Sequence, residues 1–403
     1  MNAQSHARDL AWPTFPSAAL DWLVRESGAM PFVDNLLAEL CSRLTLEGLP
    51  LARVSLHLRT LHPQFLGARM LWHRGMDTAE LSLVGHSMRD DPRFLHSPVR
   101  ALYEGAEGIR HRLDVHDDGG DEYSIYEELR AEGLTDYVAL PLVTTDGKRH
   151  ATSWSTDQPG GFTTEHLVRI SDLMPVLTMA VEIRMNRRIA KNLLNTYVGE
   201  RAGERVLAGD ITRGSGTTIQ AAIWNCDLRS FTMISEHWPR DDVISSLNDY
   251  FDAMGAPVTK YGGEILKFIG DGMLAIFPLE EEDACVRALR AAIEARQAMI
   301  ELNERREAQG FERLGYGLAL HVGDVMYGNI GTTTRLDFTV IGPAVNTTAR
   351  LEGLTKVLHR RVVLSAPFAY RCGCSPDFLE PLGSYPLRGV GEPLAVFGLA
   401  GDH

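Results

Sequence analysis

Residues 264–277, EILKFIGDGMLAIF, set two apolar runs on either side of a single Gly-Asp-Gly. Glu264–Ile269 and Met273–Phe277 read as two β-strands, and Gly270-Asp271-Gly272 reads as the turn of their hairpin. An aspartate in such a turn is ordinary turn chemistry when it stands alone. Upstream, Ile219, Ala221 and Ile223 alternate in a further strand. Asp227 follows at its exit, before a helix entered at Ser230 or Thr232. Two strand-end carboxylates form a candidate site for hard divalent cations, which bind one or two carboxylates and leave other positions to water and phosphate. Such a pair can hold two ions that activate a nucleophilic oxygen and neutralise a leaving phosphate.

A third block, residues 314–354, carries the rest of the polar signal. Leu318–His321 and Val325–Tyr327 read as a hairpin around Gly323-Asp324. Thr339-Val340-Ile341-Gly342 reads as a strand that opens into a helix through Pro343, a residue suited to a first helical turn. On that helix Asn346 and Arg350 are four apart and share a face. An amide and a guanidinium placed together can orient a ribose and neutralise charge on a transferring phosphoryl group. Alone, the pair would be a solvated helix face.

In order, the chain shows Asp-Leu-x-x-Phe-Thr from Asp227, Lys-x-x-Gly-Asp from Lys267, Gly-Asn-Ile-Gly from Gly328, and Thr-Val-Ile-Gly-x-x-Val-Asn-x-x-x-Arg-Leu-Glu from Thr339. This ordered set closely resembles the class III nucleotidyl cyclases over about residues 215–400. Leu387-Arg388-Gly389-Val390 looks like the family's last strand motif, and residues 201–214 resemble its bacterial lead-in. The resemblance implies an α/β (α+β) catalytic domain of ferredoxin-like βαββαβ form. It also implies conversion of ATP to 3′,5′-cyclic AMP and pyrophosphate with two Mg2+ or Mn2+ ions per active site.

Carried over by position, Asp227 and Asp271 are the metal-binding aspartates. Phe231 and Thr232 approach the phosphates, Asn346 positions the ribose and Arg350 stabilises the transition state. Arg388 falls where the family often has a lysine for the terminal phosphates; arginine keeps the charge and changes the geometry. Lys267 sits where adenylate cyclases have lysine and guanylate cyclases usually have glutamate. A lysine donates to adenine N1, an acceptor, whereas N1 of guanine carries a hydrogen. Thr339 stands where many adenylate cyclases have aspartate, as in a bacterial threonine subgroup, and its hydroxyl can accept from the adenine amino group. The alternatives are a guanylate cyclase, or a degenerate cyclase serving as a nucleotide-binding scaffold. In homodimeric members the aspartates come from one chain and the lysine, Asn and Arg from the other. All five residues are present, which implies two composite sites in a symmetric homodimer.

The first half reads as one α/β module and a long helix. Phe32, Leu36, Leu37, Leu40 and Leu44 make a helical stripe over 31–48, ending at Gly48. Residues 53–59 alternate as a half-buried strand, with Ala68–His73 as partner. Residues 105–133 show no sustained period and read largely as loop. Tyr137–Val143 and Ala151–Ser155 form an antiparallel hairpin around Thr145-Asp146-Gly147. From Thr163 or Thr164, apolar spacings of three and four run to Val198, with Pro175 as an expected kink and Arg187-Arg188 interrupting the seam. This seam reads as a dimer stalk. The order of elements resembles a GAF sensory domain over about residues 25–185, which implies a small-molecule or anion regulator. The divisions expected are an extension (1–24), a GAF-like domain (25–162), a helical linker (163–212) and the catalytic domain (213–403).

Acids outnumber bases 53 to 40, for a net charge of -13. That field disfavours nucleic acid and anionic membrane as partners. The N-terminus lacks the apolar core of a signal peptide, and no apolar run approaches the roughly 18 residues of a membrane helix. Histidines are scattered without ligand spacing, which leaves surface and core roles. Five cysteines, with only Cys372-Gly-Cys374 close together, make a poor zinc signature and point to reduced thiols in a cytoplasmic setting.

Overall fold

A computed structural model describes residues 12–60, 65–115, 123–280, 283–373 and 378–402. The chain divides into two compact units, Met1–Leu193 and Leu194–His403.

In the first unit, α1 (Ala18–Arg25), α2 (Val33–Leu46), β1 (Arg53–Arg59), β2 (Phe65–His73) and β3 (Glu80–Gly85) precede α3 (Pro92–Leu95) and α4 (Pro98–Glu104). They are followed by β4 (Ile109–Arg112), α5 (Ile125–Ala131), β5 (Asp136–Val143), β6 (Arg149–Thr156) and α6 (Thr164–Val198). The six strands form one antiparallel sheet in the order β3-β2-β1-β6-β5-β4. Leu36, Leu37, Leu40 and Leu44 of α2 are buried against Trp72 and Trp154. This is the stripe read from the sequence, and the β5–β6 hairpin also stands as expected. α1 begins within the expected extension, runs across its boundary to Arg25, and buries Leu20 and Trp22 in the same core. Ser17 caps it by accepting from the Leu20 amide.

Residues 105–133 are more ordered than their composition suggests. β4 pairs with β5, and α5 buries only Tyr126 and Leu129. Ion pairs at 2.8 Å from the buried Arg53 to Glu128 and Glu132 hold α5 down instead. A helix fixed by charge leaves little apolar period to read. α6 continues through Pro175 to Val198, and Gly199, at φ 92°, ends it. A cavity of about 1120 Å³ opens beside the sheet, lined among others by His57, Arg69, Phe94 and Tyr103.

In the second unit, α7 (Glu200–Leu207), β7 (Gly216–Leu228), α8 (Phe231–His237), α9 (Arg240–Lys260), β8 (Glu264–Ile269), β9 (Gly272–Pro278) and α10 (Ala284–Ala308) come first. β10 (Tyr316–Gly331), β11 (Leu336–Ile341), α11 (Pro343–Val357), β12 (Val362–Ser365), α12 (Ala366–Cys372), β13 (Leu379–Tyr385) and β14 (Leu394–Leu399) complete it. The sheet runs β13-β14-β12-β10-β7-β9-β8, with β11 paired to β10. Its centre, β10-β7-β9-β8, is the fourth, first, third and second strand of a βαββαβ unit, the ferredoxin-like arrangement expected. Trp224, Phe277, Tyr250, Met254, Ala288 and Ala292 pack α9 and α10 into one core. A second cluster joins Ile223, Leu274 and Ile276 to Tyr327, Phe338, Val340 and Ala202.

Two local readings are corrected. Leu318–His321 and Val325–Tyr327 are not a hairpin; they are parts of the single 16-residue strand β10, paired with β7 from Tyr316 to Gly328. Gly323 faces Ala221 across the ladder, and a Cβ there would meet the Ala344 Cβ at 2.7 Å. This glycine admits α11 onto the strand; it does not turn the chain. The true hairpin lies at 331–336, between β10 and β11. Leu387-Arg388-Gly389-Val390 is likewise not a strand, and lies in the connection between β13 and β14. Gly389, at φ 72°, adopts a turn conformation there.

No helix among the described residues is long and apolar enough to cross a membrane. Cys41, Cys226, Cys285 and Cys372 are buried, and Cys374 lies outside the described residues.

Candidate active site

β7 ends at Leu228, and Ser230, in a left-handed conformation, turns the chain into α8. Asp227 therefore sits at the end of β7 beside the Gly270-Asp271 turn of the β8–β9 hairpin, because Cys226 pairs with Met273. A Cβ added to Gly272 would lie 3.3 Å from the Asp227 carboxylate. The two carboxylates lie close enough for the charge of one to act on the other. Burial, the charge of Asp271 and that of Glu352 push Asp227 up to about 7, against which Lys356 acts weakly. Like charges at close range disfavour double ionisation, so this pair gains stability from a cation between them.

That arrangement fits a divalent ion. Two carboxylates are what magnesium takes from a protein when water and phosphate complete its shell. Among the described residues no group of three or more His, Cys, Asp and Glu side chains could hold a metal, so at this point these residues offer two carboxylates, Asp227 and Asp271.

α11 starts at Pro343, as read, and stands over β10. Asn346 is exposed and Arg350 half-buried on one face of it. The Arg350 guanidinium lies against the 387–390 turn, 3.5–3.8 Å from where a Gly389 Cβ would be. The turn thus brings the exposed Arg388 alongside Arg350. Phe231 and Thr232 form the first turn of α8, four and five residues past Asp227. Lys267 is half-buried on β8, just after a bulge and opposite Leu274. Thr339 is on β11, which runs close to β8, and its hydroxyl is buried with no hydrogen-bond partner. A buried orphan hydroxyl is an atom waiting for a ligand group.

Glu352 was read only as part of the Arg-Leu-Glu string, and the fold gives it a place. It is buried, with its carboxyl held up by burial and by Asp271. Gly317 pairs directly with Asp227, and a Cβ on Gly317 would strike Glu352 Oε1. Glu352 therefore rests over the strand pair that carries Asp227. The signal was Gly317 itself, a glycine inside a strand where another group comes close.

Residues 216–394 match the family described as the adenylate and guanylate cyclase catalytic domain. An adenylate cyclase of Anabaena cylindrica is 34% identical over 194 residues, which are 47% of this chain and 38% of that protein. Adenylate cyclase 2 of Rhizobium meliloti is 33% identical over 179 residues, covering 43% of this chain and 48% of the relative. The chain therefore spans under half the length of these curated relatives. Among solved structures, the guanylyl cyclase Cya2 is 30% identical, covering 47% of this chain and 95% of its own at a TM-score of 0.41. The adenylyl cyclase CyaB from P. aeruginosa is 25% identical, covering 47% and 97% at a TM-score of 0.43.

Proposed function

We propose, from a C-terminal unit that carries a class III cyclase catalytic domain, that this chain is an adenylate cyclase making 3′,5′-cyclic AMP and pyrophosphate from ATP. The observation that carries this reading is the convergence of Asp227 and Asp271 at the strand ends. Asp227 and Asp271 would hold two Mg2+ or Mn2+ ions, which would supply charge neutralisation and lower the pKa of the ribose 3′-hydroxyl. That hydroxyl attacks the α-phosphorus in line; its proton leaves to solvent and the bond to pyrophosphate breaks. Asn346 holds the ribose in the attacking pose and Arg350 neutralises the charge that builds on the α-phosphate. The first turn of α8, at Phe231 and Thr232, and Arg388 meet the phosphates. Lys267 donates to adenine N1, and the orphan hydroxyl of Thr339 accepts from the amino group. An acidic chain suits this polyanion because the substrate arrives with its metal, and local cations decide the contact.

The same residues support a homodimer with two composite sites, Asp227 and Asp271 from one chain facing Lys267, Asn346 and Arg350 of the other. Exposed Met179, Ile183 and Tyr197 on α6 give that helix a free apolar seam. The GAF-like reading of residues 25–162 rests on its antiparallel sheet and large cavity, which suit a small regulator acting through α6. The buried cysteines suit a reducing, cytoplasmic setting.

Purified chain given ATP or GTP with manganese should yield cyclic AMP far faster than cyclic GMP. Equal or reversed rates would assign the guanylate cyclase reading, and nucleotide binding without turnover the scaffold reading. Asp227→Ala and Lys267→Glu chains, each inactive alone, should recover activity when mixed. Subunit exchange without recovery would remove the shared site.

A further inference from the structure

The second unit holds a cavity of about 290 Å³ apart from the aspartate pair. Arg229, Arg296, Arg313 and Arg361 line it, together with Tyr316, and among the described residues no Asp or Glu does. In a chain of net charge -13, four guanidiniums around one small space are unusual. Only Arg313 is fully compensated, by Glu307 at 3.0 Å. Arg361 approaches Asp402 no closer than 3.9 Å, and that carboxylate already accepts from the Arg361 and Val362 amides. Arg229 donates to the carbonyls of Thr355 and Arg360, which bring no charge, and its Nε is buried without a partner. Tyr316 is 3% exposed, and its hydroxyl has no partner either. Buried donors normally find acceptors, so each orphan here is a donor open to a ligand oxygen.

We infer that this cavity is a binding site for a small phosphoryl oxyanion, inorganic phosphate or pyrophosphate, seated by Arg229, Arg296, Arg361 and the Tyr316 hydroxyl. Guanidinium forks match the oxygens of such an anion, and several of them together select multiple charge over the single charge of a carboxylate. The volume lies at the low end for organic ligands, which disfavours a whole nucleotide. Arg229 follows Asp227 by two residues and lies across Gly315, at the back of the strand end that carries the metal site. The occupant would thus neutralise a charge that otherwise acts on Glu352.

The test uses the full chain in chelator, without nucleotide, so that neither the aspartate pair nor turnover enters the readout. Phosphate and pyrophosphate, titrated against sodium chloride at equal ionic strength, should raise the melting temperature saturably. Arg296→Gln and Arg361→Gln should each weaken binding about tenfold. Tyr316→Phe removes an unsatisfied hydroxyl, so it should melt no lower than the wild type without anion and yet lose affinity. Saturation by pyrophosphate alone would identify the source as a nucleotide-cleavage product, and saturation by both as the general phosphate pool; either supports the site. A rise equal to that in chloride, undiminished affinity in all three variants, or loss of the effect in Asp271→Asn would overturn it. Loss of cyclase activity has no bearing on these measurements, so the two readings fail separately.

Discussion

A Gly-Asp dipeptide sits at 270–271 between β8 and β9 and another at 323–324 inside β10, and the two serve opposite ends. Gly270 has φ 63°, meets nothing within 4 Å of an added Cβ, and turns the chain so that Asp271 reaches Asp227. Gly323 stays extended in the ladder, where a Cβ would strike Ala344. The first glycine supplies conformation, and on the proposed reading its aspartate supplies chemistry. The second supplies space, and Asp324 is an exposed strand residue opposite Gln220. One sequence signal therefore has two physical causes, and substitutions can separate them.

The aspartates should differ most. On the proposed reading Asp271→Asn removes one of the two carboxylates that hold the metal, and it should lower turnover of ATP by about a thousandfold. Asp324→Asn should leave turnover within about twofold, because it faces solvent on a strand. Steady-state rates at saturating manganese check both. A large loss in Asp324→Asn would mean the second dipeptide also carries chemistry.

The glycines should differ next, in stability. Gly323→Val drives two methyl groups into Ala344 and should cost about 3 kcal/mol by denaturant unfolding, the upper end for overpacking. It should also cut turnover, since α11 carries Asn346 and Arg350. A variant that unfolds normally would show that α11 can slide and that close approach is not why glycine stands there.

Acid should push the two regions in opposite directions. Asp227, raised in the fold from its ordinary 3.8 to about 7, carries a penalty that is absent below about pH 4 and grows as pH rises through 7. In chelator, Asp227→Asn should therefore melt higher than the wild type at pH 8, by a margin that vanishes toward pH 4. His321, two residues before Gly323, donates to or accepts from Ser365 at 2.8 Å, and burial holds it down to about 4. Its contribution is whole above 6.5 and is lost as the pH falls toward 4, on the order of 2 kcal/mol. His321→Gln should flatten that acid limb. Parallel slopes in both variants would show that neither group sets the acid response.

The same contrast explains what could be read from the chain alone. Asp227, Asp271, Asn346 and Arg350 are each ordinary turn or helix-face polarity alone, and they are legible because they recur as one ordered set. Lys267 stands out among only five lysines. α5 stayed hidden because Arg53 holds it through Glu128 and Glu132, a contact remote in sequence. The β10 misreading has the same root. Gly317 and Gly323 answer to Glu352, Thr355 and Ala344, which arrive from α11, and no local pattern announces a neighbour's approach. The four arginines of the small cavity come from the β7 exit, α10, the start of β10 and the approach to β12, so only the folded chain assembles them.

The smallest expected effect is at the turn itself. Gly270→Ala places a Cβ on a residue at φ 63°, where nothing crowds it. The whole cost is then the left-handed backbone, about 1 kcal/mol, against which the stiffer unfolded chain returns a few tenths. Gly323→Ala, by contrast, meets a Cβ at 2.7 Å with no backbone strain. If space and conformation are separate causes, Gly270→Asn should recover part of the loss, because asparagine tolerates that region. Gly323→Asn should be worse than Gly323→Ala. Thermal unfolding of the four variants in chelator decides the matter. Equal ranking of alanine and asparagine at both sites would collapse the distinction between the two dipeptides.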